Sequence, residues 1–346
     1  MIDQYNTCKI KPGKVLLNKL AEHFGLLPAE LRWFHNRFCP IEDLIDPDIQ
    51  PHVEIIYVPV PGIETGYYAT AARKKPVYEK ANTLAVPKSF EKRYGIKQIL
   101  QEDGNELTLH YETELKKTDA DQLTVTRNHL YINHQRPDTT LEQIAEEAGR
   151  VFYPLQLELY GNAKLKHIAN FPEIQKRWKA KKAELALYYK GEIAAELLKL
   201  IDEQLEYRGK TQRGILDSWF FILYFFPLYE QFNDEKKYTF QASLPVLPKM
   251  PRVLFDITLS IEEEVSETQK FIITAKGECT DPRTADEIAH GKAIHNPEAQ
   301  GEKAAGSFEF TYKLNAKDNS VFSIWGEIQV QLSKQTRKIS FECYEQ

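Results

Sequence analysis

The stretch Thr7-Cys8-Lys9-Ile10-Lys11-Pro12-Gly13 opens the part of the chain with the most informative pattern. Its first residues favour a short strand, and its Pro-Gly pair favours a turn. Residues 15–24 then place Leu16, Leu20 and Phe24 at a spacing of four, which predicts a helix with one apolar face. Gly25 fits the end of that helix because glycine enters the left-handed region without a Cβ clash.

A second short helix and a returning strand complete this unit. Pro28 is tolerated in a first helical turn, so residues 29–36 are predicted to form the second helix. Residues 53–58 are rich in β-branched and aromatic side chains, which predicts a strand that Pro59 ends. The sequence therefore predicts a βααβ unit in which two helices cover a two-stranded sheet.

This order of elements, over residues 5–60, resembles a LysM module. LysM modules bind N-acetylglucosamine polymers or serve as assembly adaptors. Gly13 and Leu16 occupy positions of the family's turn, while Lys14 and Val15 replace its usual acidic residue and threonine. If the module bound a glycan, the resemblance implies contacts from the loop after the first strand and the loop after the second helix. Those residues are Gly13, Lys14, Val15, Asn36, Cys39, Pro40 and Ile41.

Two residues of the second helix are predicted to contact a protein partner. Trp33 and Phe34 are adjacent, and at about 100° per residue they cannot both point into one small core. We expect Trp33, beside Arg32, to be partly exposed or packed against the larger domain. Trp and Arg are enriched at binding hot spots, so Arg32 and Trp33 are the candidate partner-binding residues.

The remaining chain predicts an α+β fold. Residues 62–104 have a weak pattern and are interpreted as a linker or packing segment. Within residues 105–346 the pattern predicts strands first, then helices at about 172–226, and then strands again. This order predicts one larger domain, in which a curved antiparallel sheet folds around central helices.

Composition narrows the functional classes. The 346 residues (40.1 kDa) allow two or three domains, and a net charge of −5 argues against general affinity for nucleic acid or anionic membranes. The longest apolar run, 219–228, is shorter than the roughly 20 residues that span a bilayer, so membrane insertion is not expected. Four cysteines without paired spacing and no secretory leader favour a cytoplasmic protein.

Candidate chemistry is sparse. The sequence has no glycine-rich phosphate loop, no G-x-S-x-G elbow and no CxxC pair. His290 and His295 are five residues apart, a spacing that does not suit a helical metal site. Cys39 lies near His35 and His52 in sequence, but a third orienting group is missing. The sequence therefore predicts no catalytic residues, no metal and no cofactor.

The function that follows is a non-enzymatic assembly or adaptor protein that acts through protein–protein contacts. The LysM resemblance implies a contractile injection apparatus, such as a type VI secretion system or a phage-tail baseplate. The alternative is a protein of the cell envelope that binds peptidoglycan or chitin-type glycan. A peptidoglycan hydrolase is a third hypothesis, which the missing catalytic set disfavours.

Overall fold

The structure is a computed structural model. It describes residues 5–11, 15–45, 48–61, 82–119, 122–246, 251–262, 265–266, 268–292, 294, 301–332 and 335–346.

The N-terminal module contains two strands and two helices. Strand β1 (Tyr5–Lys9) pairs antiparallel with β2 (Ile55–Pro59). Helices α1 (Leu17–His23) and α2 (Pro28–Phe38) lie between them in the chain, followed by a 3₁₀ turn at Ile41–Asp43. This is the element order that the sequence predicts, and membership of the LysM family stays a prediction.

The larger part of the chain is built on one antiparallel sheet of eleven strands. The first five strands of this sheet along the chain are β3 (Phe90–Glu102), β4 (Asn105–Asp119), β5 (Gln122–Ile132), β6 (Leu155–Leu159) and β7 (Leu165–Ile168). The other six are β8 (Lys237–Leu244), β9 (Val253–Ile261), β10 (Lys270–Cys279), β11 (Ala305–Asn315), β12 (Val321–Gln331) and β13 (Thr336–Glu345). In spatial order the strands are β7, β6, β5, β4, β3, β13, β12, β11, β10, β9 and β8.

Most helices of this region lie in the chain between β5 and β8. They are α3 (Thr140–Arg150), α4 (Phe171–Tyr188), α5 (Glu192–Gln204), α6 (Arg208–Leu216) and α7 (Trp219–Tyr224), and α8 (Ala285–Ala289) follows β10. Their apolar side chains join one face of the sheet in a continuous buried core. Phe226, just after α7, stacks on Phe308 and Tyr312 of β11 with ring centroids 5.4 and 5.8 Å apart.

The predicted α+β fold class is wrong. A single eleven-stranded antiparallel sheet dominates the larger region, and the helices pack against it instead of forming a centre that the sheet surrounds. The sequence predicts one helix over about 212–226, but the structure has α6 end at Leu216 and the separate short α7 begin at Trp219. Its aromatic side chains are buried because they pack on the strands. Long-range strand pairing, which local periodicity does not report, decides the architecture.

The segment 62–104, predicted as a linker or packing segment, contains a strand in its second half. Residues 90–102 form β3, which pairs with β13 on one side and β4 on the other. Its central residues Tyr94, Gly95, Ile96 and Lys97 are all buried. The sheet therefore begins at Phe90 instead of residue 105, while residues 62–81 lie outside the described part of the chain.

The module rests on the face of the sheet opposite the helices. Ile41 and Leu44 of the module approach Gly95 of β3 so closely that an added Cβ would lie 3.7 and 3.4 Å from their terminal carbons. A third contact joins the two parts through stacked imidazoles, with His52 of the module 3.7 Å from His134 between ring centroids. The sheet therefore has an inner face covered by helices and an outer face partly covered by the module.

Candidate functional site

A large opening in the described structure is a cleft between β5, α3 and the end of α4, which we call the α3–α4 cleft. Its volume is about 600 Å³, within the roughly 300–1,000 Å³ typical of ligand pockets. The residues that line it are His129, Leu130, Tyr131, Arg136, Pro137, Gln143, Glu146, Glu147, Arg150, Glu184, Leu185, Tyr188 and Tyr189.

Helix α3 supplies one wall of the cleft. Gln143, Glu146, Glu147 and Arg150 follow the 3–4–7 spacing that places side chains on one helical face. The helix begins at a capping box, where Thr139 Oγ1 accepts a hydrogen bond from the backbone N–H of Glu142 and the Glu142 carboxylate accepts one in return. This cap fixes where the helix starts and therefore which face meets the cleft.

The carboxylates of the cleft are held by cations. Glu146 pairs with Arg127 and accepts a hydrogen bond from Arg150 Nε at 2.9 Å. Glu147 lies 2.9 Å from Lys181 Nζ, between the nearest oxygen and nitrogen. Because each carboxylate is fixed and neutralised in this way, the wall suits recognition better than proton transfer.

Aromatic and aliphatic side chains form the other wall and continue onto the surface. Tyr189 donates a hydrogen bond to Gln143 Oε1 at 3.1 Å, which fixes its ring. Tyr188 packs edge-on against that ring but is 78% exposed. Leu187 and Ile193 are 76% and 71% exposed, at the turn where α4 gives way to α5. We call Leu187, Tyr188 and Ile193 the α4–α5 patch.

The mouth of the cleft carries a cation with no carboxylate partner. Arg136 is exposed and lines the cleft, and no ion pair joins it to any residue in the described part of the chain. The cleft thus combines an apolar wall, an internally paired polar wall and one available guanidinium. These are the elements of a site that binds an apolar segment with an adjacent anionic group.

The predicted partner-binding residues lie elsewhere. Arg32 and Trp33 are half-buried on α2, where they face Lys270, Lys313 and Phe322 across a small crevice. Trp33 is therefore packed against the larger region, one of the two outcomes that the helix geometry allowed. The guanidinium of Arg37 also lies 5.4 Å from the centre of the Trp33 ring.

Three of the seven residues expected to contact a glycan are buried inside the protein. Asn36 is 3% exposed, and its side-chain amide exchanges two 2.9 Å hydrogen bonds with the backbone of Ile45. Cys39 and Ile41 are buried where the module meets the sheet. Internal packing already uses these three side chains, and their part in glycan binding stays a prediction.

The structure says less about the other four residues of the expected glycan site. Gly13 and Lys14 lie outside the described residues. Val15 is half-buried against the module core, and Pro40 is exposed. None of the described residues of the expected glycan surface lines the α3–α4 cleft.

His35 and Cys39 do not form a nucleophile–base pair. His35 Nδ1 accepts a hydrogen bond from the Tyr57 backbone N–H at 3.1 Å, so its Nε2 is the nitrogen that donates to the Asp43 carbonyl at 2.9 Å. Burial lowers the pKa of His35 to about 4 and raises that of the Cys39 thiol. Both ring nitrogens are occupied, and the thiol is held in its neutral form.

The described residues also bear on metal binding and on membrane insertion. Among them, no group of three or more His, Cys, Asp and Glu side chains is placed to hold a metal ion. Of the sequence pair considered for metal binding, His290 is described and His295 is not. No helix in the described ranges has both the length and the apolar character needed to cross a membrane.

Comparisons with known proteins give little further guidance. No protein-family model matches the chain. No curated protein matches it either. One matching solved structure is described as "lipid-protein interactions in lipovitellin", with 8% identity and a TM-score of 0.42. The match covers 75% of this chain but only 25% of that one, so this chain spans about a quarter of the lipovitellin chain. At that TM-score the similarity supports no inference about function.

Sequence reasoning did not find the α3–α4 cleft. The spacing of Gln143, Glu146, Glu147 and Arg150 could have indicated a polar helical face, and the adjacent Tyr188-Tyr189 pair could have indicated an aromatic one. What the sequence does not show is that the two helices bring these faces together beside β5.

Proposed function

We propose that this protein is a non-enzymatic assembly or adaptor protein that binds a protein partner through the α3–α4 cleft and the α4–α5 patch. The observation that carries the proposal is the exposure of three large apolar side chains, Leu187, Tyr188 and Ile193, directly beside the α3–α4 cleft. Exposed apolar groups gathered at one place typically mark interaction surfaces.

The chemistry of the surface defines the partner. Tyr188 and Leu185 offer an apolar wall, and Arg136 offers a cation with no ion pair among the described residues. The matching ligand is a protein segment that carries aromatic or aliphatic side chains next to an aspartate or glutamate. Burial of the apolar groups supplies affinity, and the guanidinium–carboxylate contact fixes the register.

The finer assignment rests on the LysM resemblance of the module. It implies that the larger assembly is a contractile injection apparatus, and we propose this as the setting. Four free cysteines support a cytoplasmic location, because disulfides are rare in that compartment. Peptidoglycan or chitin binding is the alternative, which the burial of Asn36, Cys39 and Ile41 weakens.

Peptide selection on the purified protein tests the binding surface. We expect a displayed peptide library to yield sequences in which an aromatic or aliphatic residue neighbours an acidic one. Tyr188→Ser and Arg136→Glu should each weaken binding of these peptides by roughly tenfold or more, as measured by fluorescence polarisation. Tyr160→Ser is the matched control, because Tyr160 is also exposed but lies outside the cleft.

Two results would contradict the proposal. Selected peptides that bind both cleft variants as tightly as the unchanged protein would place the binding surface elsewhere. Micromolar binding of N-acetylglucosamine oligomers or soluble peptidoglycan fragments would favour the alternative. The setting is tested separately by a photo-crosslinking residue at position 187: cross-linked injection-apparatus components support it, and cross-links only to unrelated proteins contradict it.

A further inference from the structure

A second, smaller opening lies where α2 of the module meets the outer face of the sheet, and we call it the basic crevice. Its volume is about 50 Å³, which is far too small for a metabolite-sized ligand but suits one small ion. Its lining includes Arg32 and Trp33 of the module and Lys270, Lys313, Phe322 and Ser323 of the sheet.

Three cations converge on this crevice. Arg32 comes from α2, Lys270 from β10 and Lys313 from β11. Lys270 Nζ donates to the Thr268 carbonyl at 3.1 Å and lies 4.3 Å from the centre of the Phe322 ring. Within the described part of the chain, none of the three cations forms an ion pair with a carboxylate.

Among the described residues, the carboxylates that act on Lys270 and Lys313 have other partners or form no ion pair with them. Glu345 is bound by Lys92 at 2.6 Å and accepts a hydrogen bond from Asn315 at 3.0 Å. The Asp318 carboxylate accepts hydrogen bonds from the hydroxyl and the backbone N–H of Ser320. Glu262 attracts Lys313 electrostatically without forming an ion pair with it. No carboxylate of the described residues therefore balances the positive charge of the crevice at contact distance.

This arrangement is electrostatically unfavourable when the crevice is empty. Burial, followed by repulsion from Arg32, lowers the pKa of Lys313. Burial is also the main cause of the lowered pKa of Lys270, with Lys92 and Lys313 adding to it and Glu345 opposing it. Like charges brought together in a partly buried site destabilise one another unless a counter-charge joins them.

A buried hydroxyl supplies a second, independent observation. Ser323 lies opposite Lys313 in the β11–β12 pairing and is 1% exposed. Its Oγ has no hydrogen-bond partner among the described residues, although a buried polar atom nearly always has one. The hydroxyl lines the same crevice as the three cations, where it can donate to an acceptor held between them.

We propose that the basic crevice binds a tetrahedral oxyanion, such as phosphate, sulfate or the phosphate group of a monoester. Guanidinium and ammonium groups from three directions, with one hydroxyl, match an acceptor that carries several oxygens. Trp33 and Phe322 flank the crevice and keep its surroundings apolar, which strengthens each charged contact. The site is independent of the proposed cleft function, and it is complete only while the module rests on the sheet.

Thermal unfolding of the full-length protein tests this site. Inorganic phosphate up to about 20 mM, at constant ionic strength, should raise the melting temperature of the unchanged protein by mass action. Lys313→Met should abolish that rise and weaken phosphate binding at least about tenfold by calorimetry. Without phosphate, the same variant should melt higher than the unchanged protein, because it removes a repelled, partly buried cation.

Matched variants separate a site from a general ionic effect. Lys276→Met removes an exposed lysine of β10 and should leave the phosphate response intact. Arg32→Gln removes a second cation of the crevice and gives an independent test if Lys313→Met folds poorly. The proposal would be overturned if Lys313→Met and Arg32→Gln both kept the full phosphate response of the unchanged protein. It would also be overturned if the unchanged protein showed no phosphate response.

Further probes identify the form of the anion. Phosphoserine that binds more tightly than inorganic phosphate shows that the group enters as a monoester, and the reverse order shows a free ion; either result supports the site. Acetate that binds as tightly as phosphate overturns the tetrahedral assignment, because a planar carboxylate offers only two oxygens to four donors.

Discussion

The inner and outer faces of the large sheet bury opposite kinds of side chain. On the inner face, Phe226, Phe308 and Tyr312 stack in a continuous apolar core beneath the helices. On the outer face, where the module rests, the buried residues include His110 and Lys97. The first face secures the fold, whereas the second places ionisable groups where their charge state affects how the module is held.

The outer contact is built around three imidazoles. His52 of the module stacks on His134, whose ring centroid lies 5.0 Å from that of His110 on β4. Neither ring nitrogen of His110 has a hydrogen-bond partner among the described residues. An apolar core tolerates a change of pH, but a stack of imidazoles that includes the buried His110 does not, and this difference can be tested.

The largest effect is expected on the inner face. Phe308→Ala should reduce the free energy of unfolding by about 3–5 kcal/mol, because it leaves a cavity beneath Phe226 in a fully buried site. Urea denaturation measures the change. Trp325→Ala on β12 is the control, since Trp325 is 41% exposed and should cost about 1 kcal/mol or less. Equal losses in the two variants would contradict the contrast between buried and exposed positions.

The second prediction separates the module from the sheet. Leu20 is buried in the module core, which is distinct from the core of the sheet. Leu20→Asp should unfold α1 and α2 because a carboxylate there is buried without a partner, at a cost of several kcal/mol. Hydrogen exchange read by mass spectrometry should show lost protection in the module and retained protection in β10–β12.

The control for Leu20→Asp is a substitution of the adjacent residue. Lys19→Asp changes an exposed neighbour on the same helix and should leave the module protected. A Leu20→Asp protein with native protection in α1 and α2 would show that Leu20 is not a core residue. Loss of protection throughout the sheet would show instead that the module and the sheet unfold together.

The third prediction concerns pH. Burial, then the charges of His134, Lys97 and His52, lowers the pKa of His110 to about 3. The unfolded chain takes up this proton near about 6.5, so between those values the unfolded state binds more protons and stability falls as the pH drops. From pH 6.5 to 5 the loss attributable to His110 is about 2 kcal/mol at most.

Other charged groups face this stack and act in both directions. Burial and His52 lower the pKa of His134, and Glu106 opposes them. His35, inside the module, also favours its neutral form, because its pKa is lowered to about 4 by burial. His110→Phe should therefore remove part of the acid sensitivity, and His35 and His134 retain the rest.

Urea denaturation at about pH 7.5 and 5 measures this difference. His110→Phe loses no hydrogen bond to a described residue, so its stability at the higher pH should change little. His23→Phe removes an exposed histidine of the module and should keep the acid sensitivity of the unchanged protein. An unchanged pH dependence in His110→Phe would exclude the stack as its source.

The sequence predicts local elements better than their assembly. Alternating polar and apolar residues reveal strands such as β9 and β11, because one side of each faces the core. Strand β3 was missed because residues 94–97 are buried on both faces, under the helices and under the module, so the alternation disappears. Its identity as a strand depends on β4 and β13, the latter more than 200 residues away.

The candidate sites show the same limit. Helical geometry correctly placed Trp33 at a surface that could pack against the larger region, but it could not reveal that Lys270 and Lys313 meet it there. These lysines lie on the outward face of two strands, where sequence patterns predict ordinary solvated charges. Only the position of the module turns them into a shared, partly buried group.

The smallest effect on stability is expected at the α4–α5 patch. Tyr188 is 78% exposed, so Tyr188→Ser should change the free energy of unfolding by about 0.5 kcal/mol or less. The same change should strongly weaken the binding of peptides to the cleft, because an exposed tyrosine gains its contacts only on binding. Parallel measurements of urea denaturation and peptide affinity separate the two roles. If Tyr188→Ser lost as much stability as Phe308→Ala, the ring would belong to the core that supports α4 and α5, and its exposure would give no reason to place a partner there.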